Sequence, residues 1–183
     1  WGYFYLKPLP PSAPAGLTAT PGGGYITLTW NQSLEDLDGY NIYRSTTQGS
    51  GYTKINSYPE YYASYKDTNV ALGTTYYYVI TAVNTSNQES GYSAEASAAP
   101  RSVYPPTGLT ATAGEGFVEL NWSPSTDSDI SGYKIYRSTA LGMGYSYITT
   151  TSGTYYKDKS VTGGTTYYYV VTAVNTISKE SPY

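Results

Sequence analysis

Apolar residues recur at every second position through much of the chain. Ile26, Leu28 and Trp30 alternate with Thr27 and Thr29, and Val118, Leu120 and Trp122 repeat the pattern. Successive side chains on a strand project to opposite faces, so this alternation predicts strands with one buried face. Turn-forming groups fall between the strands: Pro21-Gly22-Gly23-Gly24, Asp38-Gly39 and Gly163-Gly164. No segment sustains a 3.6-residue apolar period. The pattern therefore predicts an all-β chain of short strands, arranged as a sandwich.

The pattern occurs twice. Gly16-Leu17-Thr18-Ala19-Thr20 returns as Gly108-Leu109-Thr110-Ala111-Thr112, and Gly39-Tyr40-Asn41-Ile42-Tyr43-Arg44 returns as Gly132-Tyr133-Lys134-Ile135-Tyr136-Arg137. Gly73-Thr74-Thr75-Tyr76-Tyr77-Tyr78-Val79 returns as Gly164-Thr165-Thr166-Tyr167-Tyr168-Tyr169-Val170. A period of about ninety residues is the size of a small domain and too long for a solenoid repeat.

Composition narrows the functional classes. The 183 residues carry a net charge of −3, with no basic run, which argues against nucleic acid and anionic membrane surfaces as partners. No apolar stretch reaches the roughly 18–20 residues of a membrane span. There is no signal-peptide pattern, and Trp1 in first position implies a processed chain or a segment of something longer. Tyrosine appears 25 times and phenylalanine twice. Tyr and Thr favour strands, and a phenol keeps one end wet while its ring packs. This composition suits an extracellular, microbial β-protein.

Pro11-x-x-Pro14-x-Gly16-Leu17-Thr18-Ala19, a strand ending in Trp30, Gly39-Tyr40-x-Ile42-Tyr43-Arg44, Leu72-Gly73-Thr74-x-Tyr76 and Ala82-Val83-Asn84 together resemble the fibronectin type III pattern. The resemblance covers nearly the whole chain, twice. It implies two tandem seven-stranded fibronectin type III or immunoglobulin-like β-sandwiches at 12–100 and 105–183, joined by a linker at 101–104 and preceded by an extension at 1–11. It further implies that Trp30, Trp122, Tyr76 and Tyr167 are structural core residues, and that the two tyrosines are tyrosine-corner residues bonding back to the chain. Gly163 stands where the first copy has Leu72, so that corner of the second domain is expected to pack differently.

The ends depart from the family pattern. Glu89-Ser90-Gly91-Tyr92 leads into a seventh strand over 93–99, whereas the second copy stops at Glu180-Ser181-Pro182-Tyr183. The second sandwich is therefore expected to lack its own last strand and to leave the edge of its sixth, 166–174, unpaired. That edge comprises Thr166, Tyr167, Tyr168, Tyr169, Val170, Val171 and Thr172. Residues 1–7 align in register with the missing strand, making Trp1, Gly2, Tyr3, Phe4, Tyr5 and Leu6 a candidate donated strand. Two readings follow: a head-to-tail homopolymer of non-covalent strand donation, or one unit of a longer covalent array.

Candidate chemistry is sparse. With no histidine and no cysteine, the usual nucleophilic machinery and zinc sites have no residues to build them. No cofactor, metal site or catalytic residue is assigned, and the chain is read as a non-enzyme. Glu35-Asp36-x-Asp38 and Asp127-x-Asp129 read as turn chemistry, with a weak calcium site as the alternative. In the triple tyrosines, Tyr76 and Tyr78 are expected inside, with Tyr77 and Tyr168 on an exposed face that an aromatic platform for sugars or a subunit contact would use. Asn31, Asn84 and Asn121 begin glycosylation sequons. The leading expectation is an extracellular structural protein forming a fibre. The alternative is a spacer or carbohydrate-binding accessory module of a secreted polysaccharide-degrading enzyme or adhesin.

Overall fold

The computed structural model describes residues 9–33 and 35–183. The chain divides into two compact units, residues 1–101 and 102–183. The first contains seven strands: β1 (Thr18–Gly22), β2 (Tyr25–Thr29), β3 (Leu37–Ser45), β4 (Thr53–Lys54), β5 (Ser64–Asp67), β6 (Tyr76–Asn84) and β7 (Ala96–Ala98). They form two antiparallel sheets, ordered β1-β2-β5 and β4-β3-β6-β7. The second contains β8 (Thr107–Gly114), β9 (Phe117–Ser123), β10 (Ile130–Ser138), β11 (Ser146–Thr151), β12 (Tyr155–Asp158) and β13 (Tyr168–Asn175). Its sheets are ordered β12-β9-β8 and β11-β10-β13.

The alternation read from sequence fills both cores. Ile26, Leu28 and Trp30 are buried against Tyr40, Ile42, Tyr78 and Ile80. Leu120 and Trp122 pack with Tyr133, Ile135, Val171 and Ala173. In both units the tryptophan meets a tyrosine edge-on, Trp30 with Tyr40 at 5.2 Å and Trp122 with Tyr133 at 5.7 Å. The segment 101–104 does not stand free. Arg101 exchanges backbone hydrogen bonds with Gly22 and Gly24 of the first unit, and Val103 is buried in the second core.

A buried carboxylate joins the two sheets of each unit. Asp67 on β5 accepts from Arg44 Nη1 of β3 at 2.8 Å and from the Tyr78 hydroxyl of β6 at 2.9 Å. The N–H of Asn69 satisfies its other oxygen at 3.0 Å. The second unit repeats this with Asp158, Arg137 at 2.7 Å, Tyr169 at 2.9 Å and the Ser160 N–H at 2.9 Å. Neither aspartate side chain is more than marginally exposed. Each has charge neutralisation and hydrogen bonds, which a buried carboxylate requires. Burial and the neighbouring aspartate push the Tyr78 and Tyr169 phenols well above their ordinary value, so both remain donors.

The corner tyrosines behave as the resemblance implies, with one correction. The hydroxyl of Tyr76 accepts from the Ala71 N–H at 3.0 Å, and that of Tyr167 from the Thr162 N–H at 3.0 Å. Tyr76 is buried, but Tyr167 is only half-buried and precedes β13. Tyr76 pairs with Ala98 of β7, and among the described residues no strand takes that place beside Tyr167. The expected edge over Thr166–Thr172 is also shorter than read. β13 begins at Tyr168, Val171 and Thr172 are buried, and Ser181 already bonds Ala173, 2.8 Å from its N–H to the Ala173 carbonyl. The Leu72 corner needs correction too. Leu72 is 57% exposed, so replacing it with Gly163 removes little packing.

Two outcomes test this account of the fold. Asp158→Ala leaves the Arg137 guanidinium without its counter-charge and should cost the second unit about 3 kcal/mol. In calorimetry only that unit's transition should move, and a loss below about 1 kcal/mol would make the clasp incidental. Tyr76→Phe should lower the first unit's stability by about 1 kcal/mol in urea unfolding, the size of one hydrogen bond.

Candidate functional site

The acidic loops singled out from sequence serve the backbone. Both Glu35 carboxylate oxygens accept from the Ser12 N–H at 3.2 Å. Asp127 accepts from the Tyr104 N–H at 2.8 Å. Each ties the chain entering its unit to the loop before the third strand. Among the described residues, no group of three or more His, Cys, Asp or Glu side chains converges on a point.

The other expected sites divide. Trp1, Gly2, Tyr3, Phe4, Tyr5 and Leu6 lie outside the described residues. Tyr77 and Tyr168 are half-buried and do not form the exposed aromatic face expected of them. Asn31 and Asn121 are exposed, whereas the Asn84 side chain is engaged in its turn, bonding Gln88 and Leu9 through Nδ2.

The concentrated surface chemistry lies on the outer face of the β4-β3-β6-β7 sheet. Ile42 points inward from β3, so Asn41 and Tyr43 point outward; on β6, Thr81 does the same between buried Ile80 and Ala82. After β6 the chain reverses through a tight turn with Asn87 at φ 56°, while Asn84 Oδ1 accepts from the N–H groups of Ser86 and Gln88. The reversal sets Glu89 over the sheet. Its Oε1 accepts from Asn41 Nδ2 at 2.8 Å, from the Tyr43 hydroxyl at 2.7 Å and from Thr81 Oγ1. Ser90 Oγ then accepts from the Ala82 N–H at 2.9 Å, locking the returning strand in place.

The second unit builds the same arrangement from β10 and β13. Glu180 accepts from Lys134 Nζ, the Tyr136 hydroxyl and Thr172 Oγ1, each at 2.6 Å. Its turn has Ser178 at φ 61°, closed by Asn175 Oδ1, and Ser181 Oγ accepts from the Ala173 N–H at 2.9 Å. Burial pulls both glutamates toward the neutral form, but their three donors outweigh it and hold them below the ordinary carboxylate value. Burial, with the adjacent carboxylate, pushes the phenols of Tyr43 and Tyr136 up to about 12. The glutamates are therefore ionised acceptors and the phenols donors at neutral pH.

Beyond each glutamate stands an exposed tyrosine propped by two others. The Tyr92 ring meets Tyr43 at 5.3 Å and 67°, and Tyr52 at 5.6 Å and 59°. The Tyr183 ring meets Tyr136 at 5.6 Å and 66°, and Tyr145 at 5.7 Å and 58°. Tyr52 is itself anchored, its hydroxyl donating to Glu95. Beside these rings run clefts of about 260 Å³ in the first unit and about 430 Å³ in the second. Tyr92 remains 51% exposed and Tyr183 65%. In the sequence, Glu89–Tyr92 and Glu180–Tyr183 stand out only as matching ends of the two copies. The available signal is that Tyr43, Tyr52, Thr81, Glu89, Ser90 and Tyr92 recur as Tyr136, Tyr145, Thr172, Glu180, Ser181 and Tyr183, while Asn41 and Lys134, Lys54 and Tyr147, and Gln88 and Lys179 differ.

No family model matches the chain. It is 41% identical over 90 residues to an amylopullulanase of Thermoanaerobacterium thermosulfurigenes, matching 49% of this chain and 5% of that protein. It is 30% identical over 183 residues to exoglucanase B of Cellulomonas fimi, matching 90% of this chain and 15% of that protein. The chain thus spans a small fraction of the enzymes it matches. It is also similar to a solved Fn3-like protein from Clostridium thermocellum, at 42% identity with a TM-score of 0.44, covering 48% of this chain and 90% of that one. Identity of 42% with nine-tenths of that relative covered shows the family: the chain belongs to the fibronectin type III-like family.

Proposed function

We propose that this chain is a non-catalytic accessory module, two domains in tandem, carried by an extracellular polysaccharide-degrading enzyme. One observation supports the reading above the others. The chain matches short internal stretches of much longer enzymes, one amylolytic and one glucanolytic by name, and the exoglucanase match runs through both of its domains. A stretch that recurs in enzymes of different named activity behaves as a transferable module, not as the seat of either reaction. The self-contained cores agree with that, since each unit folds around its own tryptophan and its own buried aspartate.

The strand-donation filament has one observation in its favour. Along Tyr168–Val170, β13 has β10 on one side and no strand on the other among the described residues. The comparisons favour the accessory reading over it. In the accessory setting the chain's partners are the adjoining domains of its own polypeptide and a polysaccharide.

The two readings separate on size. An antibody raised against the recombinant 19.9 kDa chain should detect, in denatured culture fluid of the source organism, a band several times larger. That band should coincide with clearing in a polysaccharide-impregnated gel. A band near 20 kDa after heating, with a ladder of multiples in the unheated sample, would contradict the accessory role and support the filament.

A further inference from the structure

Several surface features compete for a role. Arg137 lines a cleft of about 270 Å³, but its guanidinium is committed to Asp158 and the Ser160 carbonyl. Tyr58, Tyr61 and Tyr62 are strongly exposed in the first unit, yet the shorter matching loop of the second, Thr150-Thr151-Ser152-Gly153-Thr154, contains no aromatic residue. The propped tyrosines are different, because both units build them alike.

We infer that Tyr92 and Tyr183 are duplicated stacking platforms for a neutral polysaccharide, an inference that rests on the accessory-module reading above and names the ligand of that module. The first argument is geometric. Two edge-packed neighbours fix the orientation of each exposed ring, and the two units agree within 0.3 Å and about one degree for both contacts. A ring already held in one orientation has little side-chain freedom left to lose on binding, so contact with its open face is not offset by ordering. Core packing does not explain such a feature, since Tyr92 and Tyr183 are more than half exposed.

The second argument is chemical. The ionised group lining each cleft is a glutamate that already accepts three hydrogen bonds, and in the second unit one of the three donors is the Lys134 ammonium. Near Tyr92 the second carboxylate, Glu95, is taken up by Tyr52 and the Gly49 N–H. Among the described residues no cation lines either cleft; Lys54, across from Tyr43, acts electrostatically on Glu89, and Lys134 is paired with Glu180. What remains is aromatic face, serine and threonine hydroxyls and the edges of satisfied carboxylates. That surface suits pyranose rings, which are apolar on the C–H face and rich in hydroxyls at the rim, as other clefts pair apolar walls with a few placed polar groups.

Affinity electrophoresis of the full chain tests this, with native gels containing pullulan, soluble cellulose ether, or polygalacturonate as the anionic control. At least one neutral gel should retard the chain and the anionic gel should not. Tyr92→Ala and Tyr183→Ala should each weaken retardation, by about tenfold per platform, and the double variant should abolish it. Tyr92→Phe should retain binding, and unchanged thermal unfolding of each variant excludes a folding defect. Tyr61→Ala should bind as the unaltered chain does. Free migration in both neutral gels, retardation only by polygalacturonate, or retardation untouched by the double variant would overturn the platforms. Free migration by a module nonetheless found within a polysaccharide-degrading polypeptide leaves the accessory reading standing and refutes the platforms alone. Recovery of the chain from a polypeptide with no such enzyme defeats the accessory reading whatever the gels show.

Discussion

Everything in each sandwich is organised around one charge that cannot be left alone. A carboxylate buried between sheets is tolerable only when neutralised and hydrogen-bonded. Asp67 and Asp158 achieve this by drawing Arg44 and Tyr78, or Arg137 and Tyr169, out of the opposite sheet. The clasp fixes how the sheets face each other more narrowly than apolar packing does, since an aliphatic core accepts sliding that a directional hydrogen bond does not. The arginines also lie over the corner rings, 5.0 Å above Tyr76 and 4.8 Å above Tyr167. The clasp and the corner therefore form one connected unit in each domain.

The same logic explains why tyrosine so outnumbers phenylalanine. In this fold the ring supplies apolar area while the hydroxyl supplies a directed bond. Tyr78 spends its hydroxyl on the buried aspartate, Tyr76 on a loop N–H, Tyr40 on the Ser33 N–H and Tyr43 on Glu89. A phenylalanine at any of these places would fill the space and leave a partner unsatisfied. The outer face repeats the device once more. Glu89 and Glu180 gather three donors each, fix the returning chain and bring a further tyrosine up against two others.

Strand periodicity, the repeat, both tryptophans and the corner tyrosines were legible because each is local or recurs at a fixed offset. The clasp was not. Arg44 was visible as part of a repeated motif, but nothing local connects it to Asp67, 23 residues away and in the other sheet. Tyr167 is less buried than its place in the motif implies, because burial there depends on a neighbouring strand and not on its own position. Consecutive tyrosines in the sequence point to Tyr77 and Tyr168 for an aromatic surface. It lies instead where three separate segments converge, and only the matching outward residues of the two copies betrayed it.

Tyr92 and Tyr183 carry the ligand contact inferred for the module. Nuclear magnetic resonance of the chain with ring-labelled tyrosine, titrated with a neutral gluco-oligosaccharide, addresses them residue by residue. The account predicts shifts confined to Tyr92, Tyr183 and the rings that prop them, Tyr43, Tyr52, Tyr136 and Tyr145. Shifts centred on Tyr58, Tyr61 and Tyr62, or no shifts at saturating sugar, would contradict it.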